Sequence, residues 1–401
     1  MKYIYSLILL FIVTLSAQEQ LKFSAQLRPR FIVDNKNFDS NLSPDTYAEM
    51  RSRLGVQFIP TDDLTLFFQL QDARTFGEEP GTISNLKNVD IHQAYFKIDN
   101  LFDLPLSLKA GRMQAPYGTE RIMARNNWNN IGRSFDGAVL QIDFCTPCEM
   151  KLDLFAFRVG ESGFPEDSLD QNVLGAFGEF EIIEKHKLQP FIIYYSSSAV
   201  SYPFNAFAVG AYLTGTITGF WHQAEFISQF GDERENGPKS LSAYFIGYNA
   251  TYTFNNVVKP YLSAGVEIYS GDDDLTDDKH KEFNRWFGAG HKYLGYMDYF
   301  PRYTFGRGLV DIHVKAGLKP TEKLSIKTAL HIFNSDADYI LIDGSTTNRF
   351  GTEVDIVANY KYNSYLTFES GASLFVPGEI FKERFGDDIS TWFYLMAIVD
   401  L

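Results

Sequence analysis

The chain has 401 residues, with 50 acidic residues against 36 Lys and Arg and a formal net charge of −14. This acidic balance argues against nucleic acid as a partner, because a nucleic-acid-binding surface needs an excess of cations. Beyond the N-terminus, no stretch approaches the ~20 apolar residues of a spanning helix.

The N-terminus, residues 1–17, has the pattern of a secretory signal peptide. One cation, Lys2, precedes an apolar run from Ile4 to Leu15, and the small residues Ser16 and Ala17 follow. A single membrane anchor is the alternative, but the run is shorter than a spanning helix requires. We predict cleavage near Ala17 and a mature domain over 18–401. The mature chain then has 35 Lys and Arg against 50 Asp and Glu.

From Leu21 onwards the chain repeats segments in which every second side chain is apolar. In the first segment, one face carries Leu21, Phe23, Ala25, Leu27 and Phe31. The other face carries Lys22, Ser24, Gln26, Arg28 and Arg30. Alternation of this kind is typical of a β-strand, and the polar face is too charged for a protein core. Either it faces water on a soluble sandwich, or it lines the lumen of a membrane barrel.

The whole series of strands separates these two folds. The period-two pattern predicts eighteen strands: 21–33, 47–58, 64–73, 90–98, 106–113, 137–144, 150–158, 173–183, 188–195, 205–214, 219–229, 241–254, 259–269, 309–319, 324–333, 350–360, 365–375 and 390–401. Short connections alternate with long ones: 60–63, 100–105, 145–149, 184–187, 214–219, 255–258, 320–323 and 361–364 are short. All short turns therefore lie at one end and all long loops at the other, as in outer-membrane barrels.

We therefore predict an all-β fold, a transmembrane antiparallel up-and-down barrel of eighteen strands with short periplasmic turns and long extracellular loops. The abundance of Phe and Tyr fits strands whose ends lie at two lipid–water interfaces. The last strand alternates up to Leu401. It resembles the C-terminal signal through which barrel-assembly machinery recognises its substrates, although the usual last residue there is Phe.

Alternation also assigns charged side chains to the lumen. The inward cations are Lys22, Arg28, Arg30, Arg51, Arg53, Lys97 and Lys109. The inward acids are Glu179, Glu181, Glu225, Glu267, Glu353, Asp355 and Glu369. The cations come from the first five strands and the acids from later ones, so we expect a basic arc facing an acidic arc. The field between them favours small hydrophilic solutes.

Four arginines, Arg28, Arg30, Arg51 and Arg53, lie on two adjacent predicted strands and can form one cluster that binds carboxylates bidentately. Alternatively, they pair with Glu49, Asp355 or Glu369 and only satisfy buried charge. The two interpretations are compatible, because a partly paired cluster still attracts anions.

The connection from Ala115 to Asp136 is long and polar. It contains Arg121, Arg125, Trp128 and Arg133. An empty barrel of eighteen strands would admit large solutes, so we predict that this loop or the Ser270–Gly308 loop folds inward as a constriction. The alternative is a purely external rim.

Three further clusters could carry other chemistry. Cys145 and Cys148 form a CTPC turn between two strands, which favours a structural disulfide or idle thiols over a redox centre. Asp272, Asp274 and Asp277 offer oxygen ligands for Ca²⁺, but the run lacks the glycine and distal glutamate of an EF-hand, so a solvated charge run is preferred. No cofactor is predicted.

The third cluster lies on two neighbouring strands. His313 and His331, with Asp311, could form a metal or acid–base site, but lumen histidines are usually wall polarity. We therefore predict no metal and no catalytic residue, and spacing places no nucleophile beside these histidines.

Several stretches resemble the alginate-export family of outer-membrane porins in the form common among Bacteroidetes. They are PTDDLTLFFQLQDAR (60–74), DIHQAYFKI (90–98), LKAGRM (108–113), NNWNNIGRSFDGAVL (126–140), FGAGHKYLGYMDYF (287–300) and GTEVDIVANYKY (351–362). The resemblance implies an eighteen-stranded passive pore with a basic lumen that attracts a polyanion. Here only the first five strands have the basic lining, and the rest of the wall is acidic.

These observations predict a non-enzymatic porin in the outer membrane of a Gram-negative bacterium, surrounded by lipid. Its solutes would be small and hydrophilic, with anionic and carbohydrate-derived compounds among the candidates. The alternatives are a barrel that acts as an adhesin or receptor through its large loops, and an outer-membrane hydrolase.

Overall fold

The computed structural model describes residues 20–82, 88–145, 150–161, 170–198, 204–233 and 239–401. The predicted signal peptide, residues 1–17, lies outside these ranges. None of the helices in the described ranges is long and apolar enough to cross a bilayer.

Eighteen long strands form the wall. They are β1 (Leu21–Asn35), β2 (Asp45–Thr61), β3 (Leu64–Thr75), β4 (Val89–Ile98), β5 (Leu106–Met113), β6 (Phe135–Cys145), β7 (Met150–Gly160), β8 (Gln171–Ile183), β9 (His186–Ser197), β10 (Phe204–Ile217), β11 (Phe220–Glu233), β12 (Lys239–Thr253), β13 (Tyr261–Tyr269), β14 (Leu309–Leu318), β15 (Leu324–Ile340), β16 (Thr346–Lys361), β17 (Leu366–Pro377) and β18 (Ser390–Asp400). A two-residue strand, Lys279–His280, pairs in parallel with β12. A short helix, α1 (Glu379–Arg384), and a 3₁₀ turn, Leu101–Asp103, complete the elements.

The sheet closes on itself. Each long strand pairs antiparallel with its neighbours in sequence, and β1 pairs with β18 in the register Leu27↔Val399 and Arg30↔Met396. Closure leaves no edge strand, so every wall strand has a hydrogen-bonded neighbour on both sides, as lipid requires. The predicted antiparallel up-and-down barrel of eighteen strands is confirmed.

Inward and outward positions alternate along the wall strands where they cross the lipid. On β14, Ile312 and Val314 are 48% and 44% exposed, whereas Asp311 and His313 between them are 0% and 2% exposed. The exposed apolar side chains form the lipid-facing surface, and the buried polar ones point into a filled bore.

Several strands extend beyond their predicted limits on the long-loop side. The apolar pattern predicts 324–333 and 350–360, but β15 reaches Ile340 and β16 begins at Thr346, so only residues 341–345 connect them. The sequence NSDADYI after Phe333 lacks alternation, and the register shifts at Asn334. A strand needs alternating apolar and polar residues only where one of its faces contacts lipid. The alternation therefore ends where the strand extends above the bilayer, although the sheet continues.

The core of the protein lies inside the barrel. Tyr299 in the loop 270–308 packs on Phe375 of β17, with ring centroids 4.8 Å apart. Phe381 of α1 packs on Phe300 of the same loop, with ring centroids 5.7 Å apart. This loop is therefore a buried part of the fold on one side of the bore.

Candidate functional site

A ladder of four arginines lies on the inner face of β1 and β2. The register places Arg28 opposite Arg51, Arg30 opposite Glu49 and Gln26 opposite Arg53. All four arginines are nearly fully buried. Two arginines separated by one residue on each of two paired strands share one face, so the strand register alone assembles the ladder.

The ladder binds the loop that follows β5. Arg28 Nη1 and Arg51 Nη1 both donate to the carbonyl oxygen of Asn127, at 2.6 and 3.1 Å. Arg30 Nη1 donates to Trp128 O at 3.1 Å, and Arg53 Nη2 donates to Ile131 O at 3.0 Å. Hydrogen bonds to charged groups contribute about 1.5–3 kcal/mol each, so this contact fixes the loop firmly to the wall.

Most partners of the ladder are neutral. Besides loop carbonyls, Arg51 donates to Gln26 Oε1 at 2.7 Å and Arg53 to Gln71 Oε1 at 2.7 Å. Within the described part of the chain, Glu49 is the one carboxylate that forms an ion pair with the ladder, through Arg30. The ladder therefore keeps most of its positive charge.

The same loop is anchored on the far side of the bore through Arg121. Its guanidinium forms buried ion pairs with Glu225 on β11 and Glu267 on β13, and donates to Tyr269 Oη at 2.5 Å. Burial alone would lower the pKa of Arg121, but the carboxylate of Glu267 raises it above the ordinary value. Since β11 and β13 lie across the ring from β1 and β2, the loop spans the lumen.

The Ser270–Gly308 loop joins this crossing. Phe287 N donates to Ile122 O at 3.0 Å, and Ala124 N donates back to Phe287 O at 3.0 Å. Glu353 on β16 accepts a hydrogen bond from Met297 N at 2.9 Å. Both loops considered in the sequence therefore lie in the bore, where they pair with each other and with the wall.

Trp128 lies at the centre of the crossing. Its indole stacks on the imidazole of His291 at 3.7 Å between centroids, and the Arg30 guanidinium lies 4.5 Å from the ring centroid. The rings of Trp392 and Tyr394 on β18 contact it edge-on. This packing holds together the first loop, the second loop and the wall.

A cavity of about 580 Å³ lies on the long-loop side of the crossing. Its lining includes the cations Arg30, Lys36, Arg74, Arg285 and Arg302, and also the acids Glu49, Glu78 and Asp298. A second cavity of about 440 Å³ lies on the short-turn side, and its lining includes Tyr95, Lys97, Lys109, Gln141 and Asp153. The crossing thus separates an outer from an inner vestibule.

Arg285 is a site residue that the sequence analysis missed. It lines the outer cavity, and its buried Nε and Nη1 atoms have no hydrogen-bond partner. Burial lowers the pKa of its guanidinium to about 10, which leaves it charged at neutral pH. A buried guanidinium with unused donors beside an open cavity is prepared for an anionic ligand. A possible indication in the sequence was the change, within one loop, from the acidic run 271–278 to the aromatic, glycine-containing stretch 283–300.

The other predicted basic positions lie towards the short-turn end. Lys97 and Lys109 are register partners on β4 and β5. Lys97 pairs with Asp99 at 2.6 Å, and Lys109 Nζ lies 4.0 Å from the ring centroid of Tyr95. Lys22 is exposed near the start of β1.

The remaining predicted acids have local partners. Glu179 on β8 lies 3.5 Å from Lys187 on β9, and the register partner of Lys187 is Glu181. Asp355 accepts a hydrogen bond from Ser373 at 2.5 Å, and Glu369 accepts one from Tyr394 Oη at 2.9 Å.

The last two predicted cations of the first loop have different positions. Arg125 is partly exposed, with its Nε 3.6 Å from Glu120. Arg133 donates to the carbonyl oxygen of Phe287, and burial lowers the pKa of its guanidinium.

Two other predicted clusters lie outside the crossing. Cys145 ends β6, and Cys148 lies outside the described residues, so the disulfide stays a prediction. In the acidic run, Asp272 and Asp274 accept hydrogen bonds from backbone N–H groups two residues ahead, and Asp277 lies 3.8 Å from Lys281. These carboxylates shape the loop, and a role in Ca²⁺ binding remains untested.

The closed wall, lipid-facing belt and filled bore define a membrane-spanning barrel of the outer-membrane porin type. The sequence profile of the alginate export family matches residues 19–394, so the chain belongs to that family. No curated protein sequence matches the chain.

Solved structures share the fold at low identity. OccAB4 from Acinetobacter baumannii superposes with a TM-score of 0.64 and 12% identity, covering 95% of this chain and 98% of that one. OccK5 (OpdH) from Pseudomonas aeruginosa gives 0.62 and 13% over 96% and 98%. A BenF-like porin from Pseudomonas fluorescens Pf-5 gives 0.62 and 11% over 96% and 99%. These similarities establish the barrel architecture. The evidence about the solute comes from the site itself.

Proposed function

We propose that this protein is a passive channel for small, hydrophilic, anionic solutes of carbohydrate origin, located in the outer membrane of a Gram-negative bacterium after its signal peptide is cleaved. The observation that carries the proposal is a set of cations at three levels of the bore. Arg285 and Arg30 line the outer cavity, the buried ladder lies at the crossing, and Lys97 and Lys109 line the inner cavity.

The ladder suits carboxylates because its present partners are mostly neutral oxygens. A solute carboxylate can replace a loop carbonyl as the acceptor of Arg28 or Arg51 and gains the attraction of a full charge. In the outer cavity, Trp392 adds an aromatic ring beside the arginines. This combination fits a sugar ring that carries an acid group.

Acidic side chains contribute the other half of the field. Glu225 and Glu267 lie on β11 and β13, across the ring from the ladder, whereas Glu353, Asp355 and Glu369 lie on β16 and β17, two to three strands from β1. A field between basic and acidic arcs orients dipolar solutes and penalises apolar ones. Transport is diffusion along a gradient with no chemical step, and it requires the two crossing loops to give way.

The interactions outside the pore follow from the wall. The apolar belt contacts outer-membrane lipid, and β18 supplies the alternating C-terminal strand that barrel-assembly machinery would recognise. The solute partners are anionic saccharide units rather than nucleic acid, since the chain has a net charge of −14.

Ion selectivity in planar bilayers tests the proposal. We expect wild-type channels to prefer Cl⁻ in a KCl gradient, and the variant Arg28→Gln/Arg51→Gln/Arg53→Gln to shift the reversal potential towards K⁺, because three buried charges are removed from the path. A uronic acid oligomer should reduce the wild-type current, and Arg285→Gln should weaken that block.

The control is Arg125→Gln, which removes an arginine from the loop that follows β5, at a position away from the ladder. It should leave selectivity unchanged. Channels with identical selectivity in wild type and triple variant would contradict the proposal.

A receptor or adhesin is the second candidate, favoured by the two loops that cross the bore. Absence of conductance in folded wild-type protein, together with tight binding of a surface ligand by the long loops, would select it over a channel. An outer-membrane hydrolase is a weaker candidate, and hydrolytic activity that is lost in His313→Ala or His331→Ala would support it.

A further inference from the structure

A compact group of titratable side chains lies on β14 and β15, away from the arginine ladder. Asp311, His313 and His331 point into the bore, and each is at most 2% exposed. The alternate positions Ile312 and Ile332 face lipid. The proposed channel for anions follows the ladder on β1 and β2, at least four strands away around the ring, and makes no use of this cluster.

Three ligand atoms converge in the cluster. His313 and His331 are register partners on adjacent strands, and the Nδ1 atoms of both lie 2.9 Å from Oδ2 of Asp311. All three ligand atoms lie within 4.8 Å of one another. Two imidazole nitrogens and one carboxylate oxygen form a donor set that transition-metal dications prefer.

The hydrogen bond at Nε2 of His313 determines which of its ring nitrogens is available as a metal ligand. The side-chain oxygen of Asn249 lies 2.6 Å from His313 Nε2. An amide oxygen only accepts, so in the neutral ring the proton is on Nε2 and the Nδ1 lone pair lies on the side of Asp311. A metal ion bound by Nδ1 and the carboxylate oxygen would take the place of the proton that otherwise joins these two atoms.

The surroundings are built to hold this geometry. A metal-binding histidine usually donates its second N–H to a fixed acceptor, which orients the ring, and Asn249 has that position here. Gly265 lies beside the pair, and a Cβ atom there would overlap both Asn249 and His313. Glycine at this position thus leaves space for the hydrogen bond that orients the ring.

The local charge also favours a dication. Glu267 is the register partner of Asp311, and Glu353 is the register partner of His331. The cations near this arc are Arg121, which already pairs with Glu225 and Glu267, Arg285 in the second loop, and Lys315 on β14, two residues beyond His313. Acidic groups outnumber basic ones on this side of the bore, so the field there attracts positive ions.

We propose that Asp311, His313 and His331 form a binding site for a transition-metal dication such as Zn²⁺. The ion is held by the two Nδ1 atoms and a carboxylate oxygen, with Asn249 orienting His313. It ties β14 to β15 from within the bore. Hard ions such as Ca²⁺ and Mg²⁺, which prefer oxygen ligands, do not compete.

The test uses the purified full-length mature barrel in detergent, without a histidine tag. After equilibration with micromolar ZnCl₂ and removal of free metal, elemental analysis should find one zinc per folded chain, undiminished by excess MgCl₂. Cu²⁺ loaded in place of zinc should give an electron paramagnetic resonance spectrum with hyperfine splitting from two nitrogens.

Three variants locate the ion. His331→Ala and Asp311→Asn should each abolish stoichiometric zinc. Asn249→Ala keeps all three ligands and should weaken zinc binding about 10–100-fold, the usual effect of removing a group that orients a metal ligand. His92→Ala removes a different buried lumen histidine and should bind zinc as the wild type does.

Folding of each variant is checked by the heat-dependent shift in gel mobility typical of intact barrels. If His331→Ala does not fold, the Asn249→Ala affinity and the wild-type copper spectrum decide the matter. Folded wild-type protein that binds no zinc, zinc that remains in folded Asp311→Asn, or a copper spectrum without nitrogen splitting would overturn the proposal.

Discussion

At the scale of single residues, Arg121 holds the first loop across the bore. Its guanidinium pairs with the buried carboxylates of Glu225 and Glu267 and lies 3.4 Å from the ring centroid of Tyr293 in the second loop. Removing one partner from a buried ion pair costs about 3–5 kcal/mol, because the remaining charges stay buried. We expect Arg121→Gln to release the loop locally, which should raise single-channel conductance and speed chymotrypsin cleavage between residues 114 and 134.

The control for this prediction is Arg125→Gln, since Arg125 is exposed and pairs only with Glu120 at 3.6 Å among its described contacts. Exposed pairs contribute about 0–1 kcal/mol, so conductance and cleavage should match the wild type. Equal cleavage rates in the two variants would show that Arg121 does not anchor the loop.

At the scale of elements, the loop after β5 and the Ser270–Gly308 loop restrict the bore together, joined by backbone hydrogen bonds around Met123 and Phe287. Deleting residues 118–132 removes the segment that contacts both the ladder and Glu267. We expect a barrel that still folds and conducts severalfold more, measured in planar bilayers, because the wall strands do not depend on this loop for their pairing.

A matched deletion shortens the β15–β16 connection, residues 341–345, to a two-residue Asn-Gly turn. This turn lies at the tip of a hairpin, and its removal should leave conductance unchanged. No increase in conductance on deleting 118–132 would mean that the second loop alone closes the bore.

At the scale of the whole molecule, stability depends on which face of the wall meets lipid. Ile356 faces outward with 51% exposure, in the middle of the alternating part of β16, and an arginine on the lipid face near the midplane costs about 2–4 kcal/mol. We expect Ile356→Arg to lower the free energy of unfolding by this amount in urea titrations of the barrel in lipid vesicles. Ile342→Arg is the matched control, because Ile342 is 91% exposed at a loop tip and should change stability little. Equal loss in both variants would argue against the assigned lipid belt.

The part of the site that could be predicted is the part fixed by strand register. Arg28 and Arg51 share a face because alternation has a period of two, so the sequence alone brings them together. The partners of these arginines could not be predicted. They are the backbone carbonyls of Asn127 and Trp128, and every residue type has such a carbonyl, so the sequence does not identify them. Arg285 reaches the same region through a loop that has no periodic pattern.

The sequence by itself determined the number of strands, their order around the ring and which side chains point inward, because lipid imposes a two-residue period on every strand that crosses it. Only the tertiary structure decided that two loops meet inside the bore and that Arg121 reaches Glu267 from the opposite side. Those contacts join segments far apart in the chain through irregular backbone, and neither alternation nor spacing constrains such a path.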